Sequence, residues 1–425
     1  VDYKTEYRKE RGGSIMSDHH VPTRLSGENK TRGYFTPGVI IVLLIAINGI
    51  VFLMGRFIFG LGAVTNLDNL YPWGLWIGID VAAGVALAAG GFTTAAIGHI
   101  VHKEEYHSIV RPALLTAMLG YTFVALGVVT DIGRWYYIWH PLINWNPNSA
   151  LFEVGICVMI YMTVLYIEFL PIVTERFMGK VKLPGILKMF NNLLEKILKI
   201  ADKTLQRTIF VFIIAGVVLS TLHQSSLGTL MIIAGDKMHP LWQTPILPLL
   251  FFISALAVGF PMVIFESLLA SRSFRLKPEI SVLSKLANMI PVFLIIYLAF
   301  KIGDMFIRGT FVYLKEVNIQ SVMFILEVFI GFILPIPLFL SKKVQQSSGL
   351  LFLAASLVVF GVILNRVNNF IIAYKPPYAD YSYIPSIGEF SVSIGFAAIL
   401  VLIYRAFVMI FPVISIEPKS KGGRL

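Results

Sequence analysis

Ten stretches of this chain are long and apolar enough to cross a lipid bilayer, and no other feature constrains the fold as strongly. They lie near 37–59, 72–100, 112–134, 148–174, 208–232, 241–270, 286–308, 318–340, 349–374 and 387–413. A helical span needs about 20 apolar residues to cover about 30 Å of hydrocarbon. Several stretches exceed that length, so they tilt or project past the hydrocarbon. The expected fold is an all-α polytopic membrane protein of ten transmembrane helices.

Loop charge orients these spans. Segments 1–36, 101–111, 175–207, 271–285, 341–348 and 414–425 together hold 26 Lys and Arg. The alternate loops, 60–71, 135–147, 223–240, 309–317 and 375–386, hold 3. Lys and Arg concentrate on the cytoplasmic side of membrane proteins, so both termini are expected in the cytoplasm. Residues 1–36 and 414–425 then form cytoplasmic tails around a transmembrane domain at 37–413. Residues 1–15 precede Met16 and read as a start-site extension. Removing them leaves 22 basic residues against 3, so the orientation does not depend on them. No signal-peptide pattern precedes the first span. The inner segment 185–200 alternates apolar residues with Lys188, Lys196 and Lys199 at helical spacing. It is expected to lie as an amphipathic helix on the inner membrane surface.

Composition agrees with this class. Hydrophobic residues make up 56% of the chain and charged residues 14%, where a soluble domain carries about 25% charged. The net charge of +11 sits in alternate loops rather than on one patch, which argues against nucleic acid as a partner. The single cysteine, Cys157, excludes disulfides, thiolate metal sites and cysteine-held iron–sulfur clusters within this chain. Six Trp residues, Trp73, Trp76, Trp135, Trp139, Trp145 and Trp242, fall near the outer interface. They form part of an aromatic belt and offer a surface for a partner.

Charges inside a bilayer are costly and call for a reason. Asp80 lies about two turns into a helix entering from outside. Asp131 and Arg134 close the outer end of the third span, and their i, i+3 spacing predicts a shared face and an ion pair. Glu153 opens the fourth span, while His223 and Gln224 lie in the fifth. These groups are expected at one outer level, where acids, a cation and a base suit proton-coupled chemistry on a lipid-soluble quinone. Glu168 and Glu266 lie toward the inner ends and are candidate steps of an inner proton path. Lys301, Asp304 and Arg308 share a face, with Glu327, Asn365, Arg366, Asn368, Asn369 and Glu389 as expected partners. This second cluster reads as structural, because polar side chains hold membrane helices together. A b-type haem would need two histidines facing each other at one depth. Of eight histidines, His223 alone is expected within a span at the outer level, and no metal site is expected.

The chain resembles the NrfD-type quinone-interacting membrane subunits. The resemblance rests on Phe59-Gly-Leu-Gly-Ala-Val-Thr, Tyr71-Pro-Trp-Gly-Leu-Trp-Ile-Gly-Ile-Asp80, Tyr106-His-Ser-Ile-Val-Arg-Pro-Ala-Leu-Leu115 and Asp131-Ile-Gly-Arg134. It continues through Asn148-Ser-Ala-Leu-Phe-Glu153, His223-Gln-Ser-Ser-Leu-Gly-Thr-Leu-Met231, His239-Pro-Leu-Trp242, Ile264-Phe-Glu266 and Ser321-Val-Met-Phe-Ile-Leu-Glu-Val328. Within that family it is most similar to the HybB branch, the membrane subunits of nickel–iron uptake hydrogenases. The resemblance implies ten spans in NrfD-like bundles, no haem or other cofactor held by this chain, and a menaquinone-type site near the outer face. It implies a periplasmic, ferredoxin-like iron–sulfur subunit that delivers electrons, nickel–iron hydrogenase large and small subunits beyond it, and residence in the bacterial inner membrane. It places Asp131, Arg134, Glu153 and His223 at or beside the quinone, with Asp80, Arg111 and Gln224 also matching family strings. The N-terminal extension and the Trp-rich loop 135–147 depart from the family pattern. Related modules serve polysulfide, sulfite-linked and alternative complex III-type systems, so the ultimate donor rests on overall similarity.

Three other readings make different predictions. A secondary transporter predicts inverted repeats with helices broken at the midplane, and solute uptake by vesicles. A passive anchor predicts that quinone-site inhibitors protect no residue. A haem-bearing cytochrome predicts a reduced-minus-oxidised absorption spectrum.

Overall fold

A computed structural model describes residues 34–90, 93, 107–181 and 185–416, together with residues 23 and 24. Ten apolar helical segments stand among them: α1 Pro37–Phe59, α2 Trp76–Leu87, α3 His107–Asp131, α4 Ala150–Phe177, α5 Asn191–Ile233, α6 Leu247–Phe274, α7 Ile280–Ile307, α8 Ile319–Leu340, α9 Ser348–Ile372 and α10 Ile387–Ile410. Nine of these described segments contain a stretch long and apolar enough to cross a membrane, and α2 is the shorter one. The expected second span at 72–100 runs on from α2 into residues outside the described set, as do most of both tails.

Local chemistry sets many of the ends. Thr36, Ser149, Asn318, Ser347 and Ser386 cap α1, α4, α8, α9 and α10 by accepting from first-turn N–H groups. Such side chains replace the missing intrahelical acceptor. Pro37 and Pro248 sit in the first turns of α1 and α6, where no N–H donor is needed. Three segments widen into π-helical turns: Trp76–Ala83 in α2, Phe329–Ile333 in α8 and Asn368–Ile372 in α9. Wide turns of this kind recur at functional sites. One of them carries Asp80, and another carries Asn368 and Asn369.

The helices form two four-helix groups. In the first, α2 to α5 pack in chain order, and Gln224 of α5 donates to Val85 O of α2 at 2.8 Å. In the second, α6 to α9 pack in order and α9 returns to α6. The groups meet where α2 lies against α6 and α9, and where α5 lies against α6. The antiparallel pair α1 and α10 flanks α2 and α3. The Tyr34 hydroxyl, ahead of α1, donates to Leu402 O at 3.0 Å, and Arg405 Nε donates to Tyr34 O at 3.1 Å. The start of α1 and the end of α10 therefore share one side of the bundle, as an even number of crossings requires. The assignment of that side to the cytoplasm rests on loop charge.

Glycines set the closest crossings. A Cβ on Gly49 of α1 would lie 2.6 Å from Gly395 Cα of α10, and one on Gly361 of α9 would lie 2.1 Å from Gly331 Cα of α8. In lipid, association relies on close packing rather than on hydrophobic exclusion, so small residues at such contacts carry weight. One helical turn from Gly361 and Gly331, Asn365 Nδ2 donates to Glu327 Oε1 at 2.8 Å. Gly361→Ala is expected to separate α8 from α9, stretch this hydrogen bond and destabilise the protein by about 1–3 kcal/mol. Thermal unfolding in detergent measures the loss, and an unchanged midpoint would contradict the crossing's importance.

Two local expectations are corrected. The third span ends at Asp131 rather than at 134, because the chain leaves the helix through a turn at Gly133 and Arg134. The segment 185–200 does not form a separate surface helix. Gly185–Phe190 is a short tight helix, and Asn191 begins α5, which runs 43 residues without a break. No Gly or Pro interrupts 191–207, so the helix continues into the span. Its length is about 65 Å at about 1.5 Å per residue, so its first turns extend beyond the hydrocarbon. Ile197, Ile200 and Ala201 line an open apolar groove with Ile167 and Leu170 of α4, and Leu193, Ile197 and Ile200 stay exposed.

Candidate functional site

At the end of the bundle away from the start of α1, which loop charge makes the outer one, α1, α2, α3 and α10 bring together an acid cluster. α2 and α3 pack in antiparallel register: a Cβ on Gly127 would lie 3.1 Å from Asp80 Cβ, and one on Gly120 would lie 3.3 Å from Ala88 Cβ. Asp80 thus sits one turn inward of Asp131, and its Oδ2 accepts from Ser393 Oγ of α10 at 2.6 Å. Asp131 is the last residue of α3, and the charges of Glu389, Arg56 and Asp80 act on it. No donor among the described residues reaches its Oδ1.

Arg56, not Arg134, is the cation here. Arg56 is 2% exposed and donates from Nε to Thr130 O and from Nη2 to Ile132 O, both at 2.6 Å. It therefore binds the carbonyl end of α3, where helices attract positive charge. The expected Asp131–Arg134 pair does not form. Arg134 lies past the helix with φ −99° and ψ 65°, is exposed, and no longer obeys the i, i+3 geometry. A signal for Arg56 existed: Val39, Ala46, Gly49 and Arg56 are the buried residues of α1, and their spacing keeps one face.

A lower tier lies within α3, α4 and α5. The rings of Tyr121 and Tyr161 meet edge to face at 4.4 Å, and the Tyr121 hydroxyl lies 3.3 Å from His223 Nδ1. His223 and Gln224 are fully buried, and His223 Nε2 and Gln224 Oε1 have no hydrogen-bond partner among the described residues. Asp131 is ten residues outward of Tyr121 along α3, or about 15 Å. Glu153 is eight residues outward of Tyr161 along α4, or about 12 Å. Asp131 and Glu153 therefore stand outward of the two tyrosines, and His223, one turn inward of the Ser226 that bonds Glu153, lies about one turn below that carboxylate. Glu153 is exposed on the bundle surface, and its Oε1 accepts from the buried Ser226 Oγ of α5 at 2.6 Å. That places a carboxylate on a lipid-facing seam between α4 and α5.

The inner acids occupy two separate places. Glu168 of α4 packs against Gly216 of α5 on the inner side of Tyr161, where a Cβ on Gly216 would lie 2.6 Å from its Oε1. Glu266 of α6 faces Thr116 and Tyr404. Glu168 Oε1, Glu266 Oε1 and the Tyr404 hydroxyl lack hydrogen-bond partners among the described residues. Arg111, matched by a family string, pairs with Glu175 at 2.7 Å at the same end of the bundle.

The second cluster forms around Glu327. Lys301 Nζ lies 2.7 Å from its Oε1, with both side chains buried. Asn365 also donates to Oε1, while Trp242 Nε1 and Asn368 Nδ2 donate to Oε2 at 2.9 and 2.8 Å. Arg366 donates to Ser254 Oγ at 2.9 Å and stacks over Phe251 at 3.8 Å. Three expected members lie elsewhere. Asp304, one turn beyond Lys301, pairs with Arg308 at 2.7 Å and accepts from Thr244. Glu389 opens α10 in the acid cluster, because α10 packs against α1 rather than α8.

Beyond the membrane, loops 60–75 and 375–386 cover the acid cluster. Tyr71 packs among Tyr374, Tyr381 and Tyr383. A hydrogen bond from Tyr381 and backbone N–H groups of Tyr71 and Leu70 hold the Asp68 carboxyl below its ordinary range. Burial and the hydrogen bond to Glu389 push the Tyr383 hydroxyl well above its ordinary range, so it stays protonated. Among the described residues, no three His, Cys, Asp or Glu side chains come together as a metal site.

Comparison with known proteins covers most of the chain. The family model described as "Polysulphide reductase, NrfD" matches residues 63–374. A protein of Nitratidesulfovibrio vulgaris is 37% identical over 405 residues, covering 93% of this chain and 99% of that one. The "Probable Ni/Fe-hydrogenase 2 b-type cytochrome subunit" of Escherichia coli is 34% identical over 403 residues, covering 93% and 95%. The "Menaquinone reductase, integral membrane subunit" of Nitratidesulfovibrio vulgaris is 26% identical over 385 residues, covering 83% and 86%. The name of the second raises haem, which the described residues do not fit. His223 lies against Tyr121 and beside Gln224, and among the described residues no second imidazole contacts it.

Proposed function

The chain belongs to the NrfD family of membrane subunits, and from that premise we propose that it is the quinone-reducing subunit of a hydrogen:quinone oxidoreductase in a bacterial inner membrane. The observation that carries this reading is the outer tier: Asp80 and Asp131 beside Arg56, with Glu153 on the lipid-facing seam next to Ser226. Ionisable groups are retained inside a membrane chiefly where they serve transport or proton chemistry. A lipid-soluble quinone diffusing in the outer leaflet meets the Glu153 seam first.

Reduction of a quinone to a quinol consumes two electrons and two protons. The electrons come from a periplasmic, ferredoxin-like iron–sulfur partner, fed by nickel–iron large and small subunits. Two relatives support this assignment, one named for a Ni/Fe-hydrogenase and one for a menaquinone reductase. This chain supplies the protons and the electrostatics. Glu153 donates a proton at the seam, and Arg56 stabilises negative charge on Asp131 and on the reduced ring. His223, with Tyr121, presents a hydrogen-bonding edge below the ring. A photoactivatable menaquinone analogue on the assembled complex is expected to label α2 to α5 near these residues, and menaquinone should compete. Labelling confined to α6 to α9 would refute the placement.

A second reading, proton uptake from the inner side, is favoured by the buried carboxylates Glu168 and Glu266. It makes turnover sensitive to membrane potential. Proton uptake assayed from each side of sealed vesicles decides it, and uptake solely from outside rejects it.

A further inference from the structure

The first turn of α10 holds a carboxylate that the reading above leaves unused. Glu389 is fully buried, and loop residues Asn66 and Tyr383 bond to its carboxylate. Its Oε2 accepts from the backbone N–H of the exposed Asn66 at 3.1 Å and from that of Ser386 at 2.8 Å. Its Oε1 accepts from the Tyr383 hydroxyl. Tyr383 is half-buried, and its hydroxyl also accepts from Leu75 N–H at 3.1 Å. A phenol oxygen has two acceptor sites, so one stays available to a water molecule. Toward the interior, Ser393, one turn inward of Glu389 on α10, donates to Asp80 at 2.6 Å, and Asp131 lies one turn outward of Asp80 on the neighbouring α3, so Glu389 and Asp131 stand at one level.

A cap alone does not explain this arrangement. Ser386 and Glu389 form a reciprocal capping box at the start of α10, which occupies Oε2. A glutamine serves that motif as well as a glutamate does. The other oxygen is committed to Tyr383, whose position is enforced: a Cβ on Gly74 would lie 2.1 Å from the Tyr383 hydroxyl oxygen. The chain thus reserves space at a glycine for a phenol that bridges the loop surface and a buried acid.

We propose that Tyr383 and Glu389 form the outer proton entry of the site, passing protons from external water to Asp131. The proposal rests on the quinone-reducing reading. In each transfer Tyr383 passes its hydroxyl proton to the Glu389 carboxylate as it takes one from hydrated protons outside, in one concerted shift that leaves it protonated. Glu389 then passes a proton to the Asp131 carboxylate and returns to its ionised state. Each transfer replaces the proton that Asp131 gives to the quinone, while Glu153 supplies the other of the two that one quinone consumes. The ionisable groups facing this route are Asp131, Arg56 and Asp80 from the helices, and Asp68 beside Tyr71 and Tyr381 from the loops.

The test uses the assembled complex in sealed membranes. Its readouts are reduction of a menaquinone analogue, reduction of an artificial dye by the donor subunits, and co-purification of all subunits. Glu389→Gln is expected to lower quinone reduction at least tenfold, leave dye reduction and assembly unchanged, and abolish the dependence of the rate on external pH. Tyr383→Phe, which keeps the carboxylate and the cap, is expected to lower it at least threefold. Ser386→Ala, which weakens only the cap, should stay within twofold of the parent. Parental quinone reduction in Glu389→Gln, or in Tyr383→Phe, would overturn the relay. Loss of assembly in Glu389→Gln would overturn it too, by showing a structural role. A parent complex that oxidises its donor but reduces no quinone would instead remove the underlying reading.

Discussion

Lys301→Met is expected to be the most destabilising of the substitutions considered. Lys301 and Glu327 are both buried, 2.7 Å apart, and removing the cation strands a carboxylate in the interior. Breaking a buried pair from one side costs about 3–5 kcal/mol, a large part of a total stability of about 5–15 kcal/mol. Donors from Trp242, Asn365 and Asn368 remain and soften the loss without replacing the charge. The double variant Lys301→Met with Glu327→Gln removes both charges and keeps acceptor and donor atoms for the asparagines. It should recover most of the stability, because desolvation of the pair disappears together with its attraction. Thermal unfolding of the purified protein in detergent measures both. A single variant as stable as the parent would show that the pair contributes nothing.

Glu153→Gln is expected to lower quinone-linked turnover by about 10² or more while leaving assembly intact, in keeping with the usual contribution of a general acid. The amide oxygen can still accept from Ser226, whose hydroxyl lies 2.6 Å from Glu153 Oε1, so the α4–α5 seam keeps its contact. Only the transferable proton is lost. The measurement is the reduction rate of a menaquinone analogue by the complex, with co-purified subunits and dye reduction as controls. Unchanged turnover would remove Glu153 from proton delivery. A fall in dye reduction as large as that in quinone reduction would place its effect in assembly.

Much of the architecture was legible because each span announces itself locally. Apolar runs at the ten expected positions became α1 to α10, within the residues described. Polar groups were equally visible as exceptions in those runs, and Asp80, Asp131, Glu153 and His223 all lie within the first helix group together with Arg56 and Glu389 of the flanking pair. Their partners were less legible. Asp131 and Arg134 satisfied a helical spacing rule, but the helix stops at Asp131 and the rule lapses. Glu389 and Glu327 were both expected to face Lys301, yet one lies on the α1 side of the molecule and the other between α7, α8 and α9. His223 matched the outer level by residue count from the loop, and its contact with Tyr121 places it deeper.

The sequence by itself determined that the chain crosses a membrane, how many apolar segments it has, and which residues break their apolarity. Those properties follow from transfer of each segment into hydrocarbon, which is a local free energy. Only the tertiary structure decided which of those residues meet. Arg56 reaches the carbonyl end of α3 beside Asp131 because Gly49 and Gly395 bring α1 onto α10 and the pair onto α3, and Lys301 reaches Glu327 where Gly331 and Gly361 let α8 and α9 touch. Such meetings depend on helix rotation and crossing distance, which are set by contacts between segments far apart in the chain.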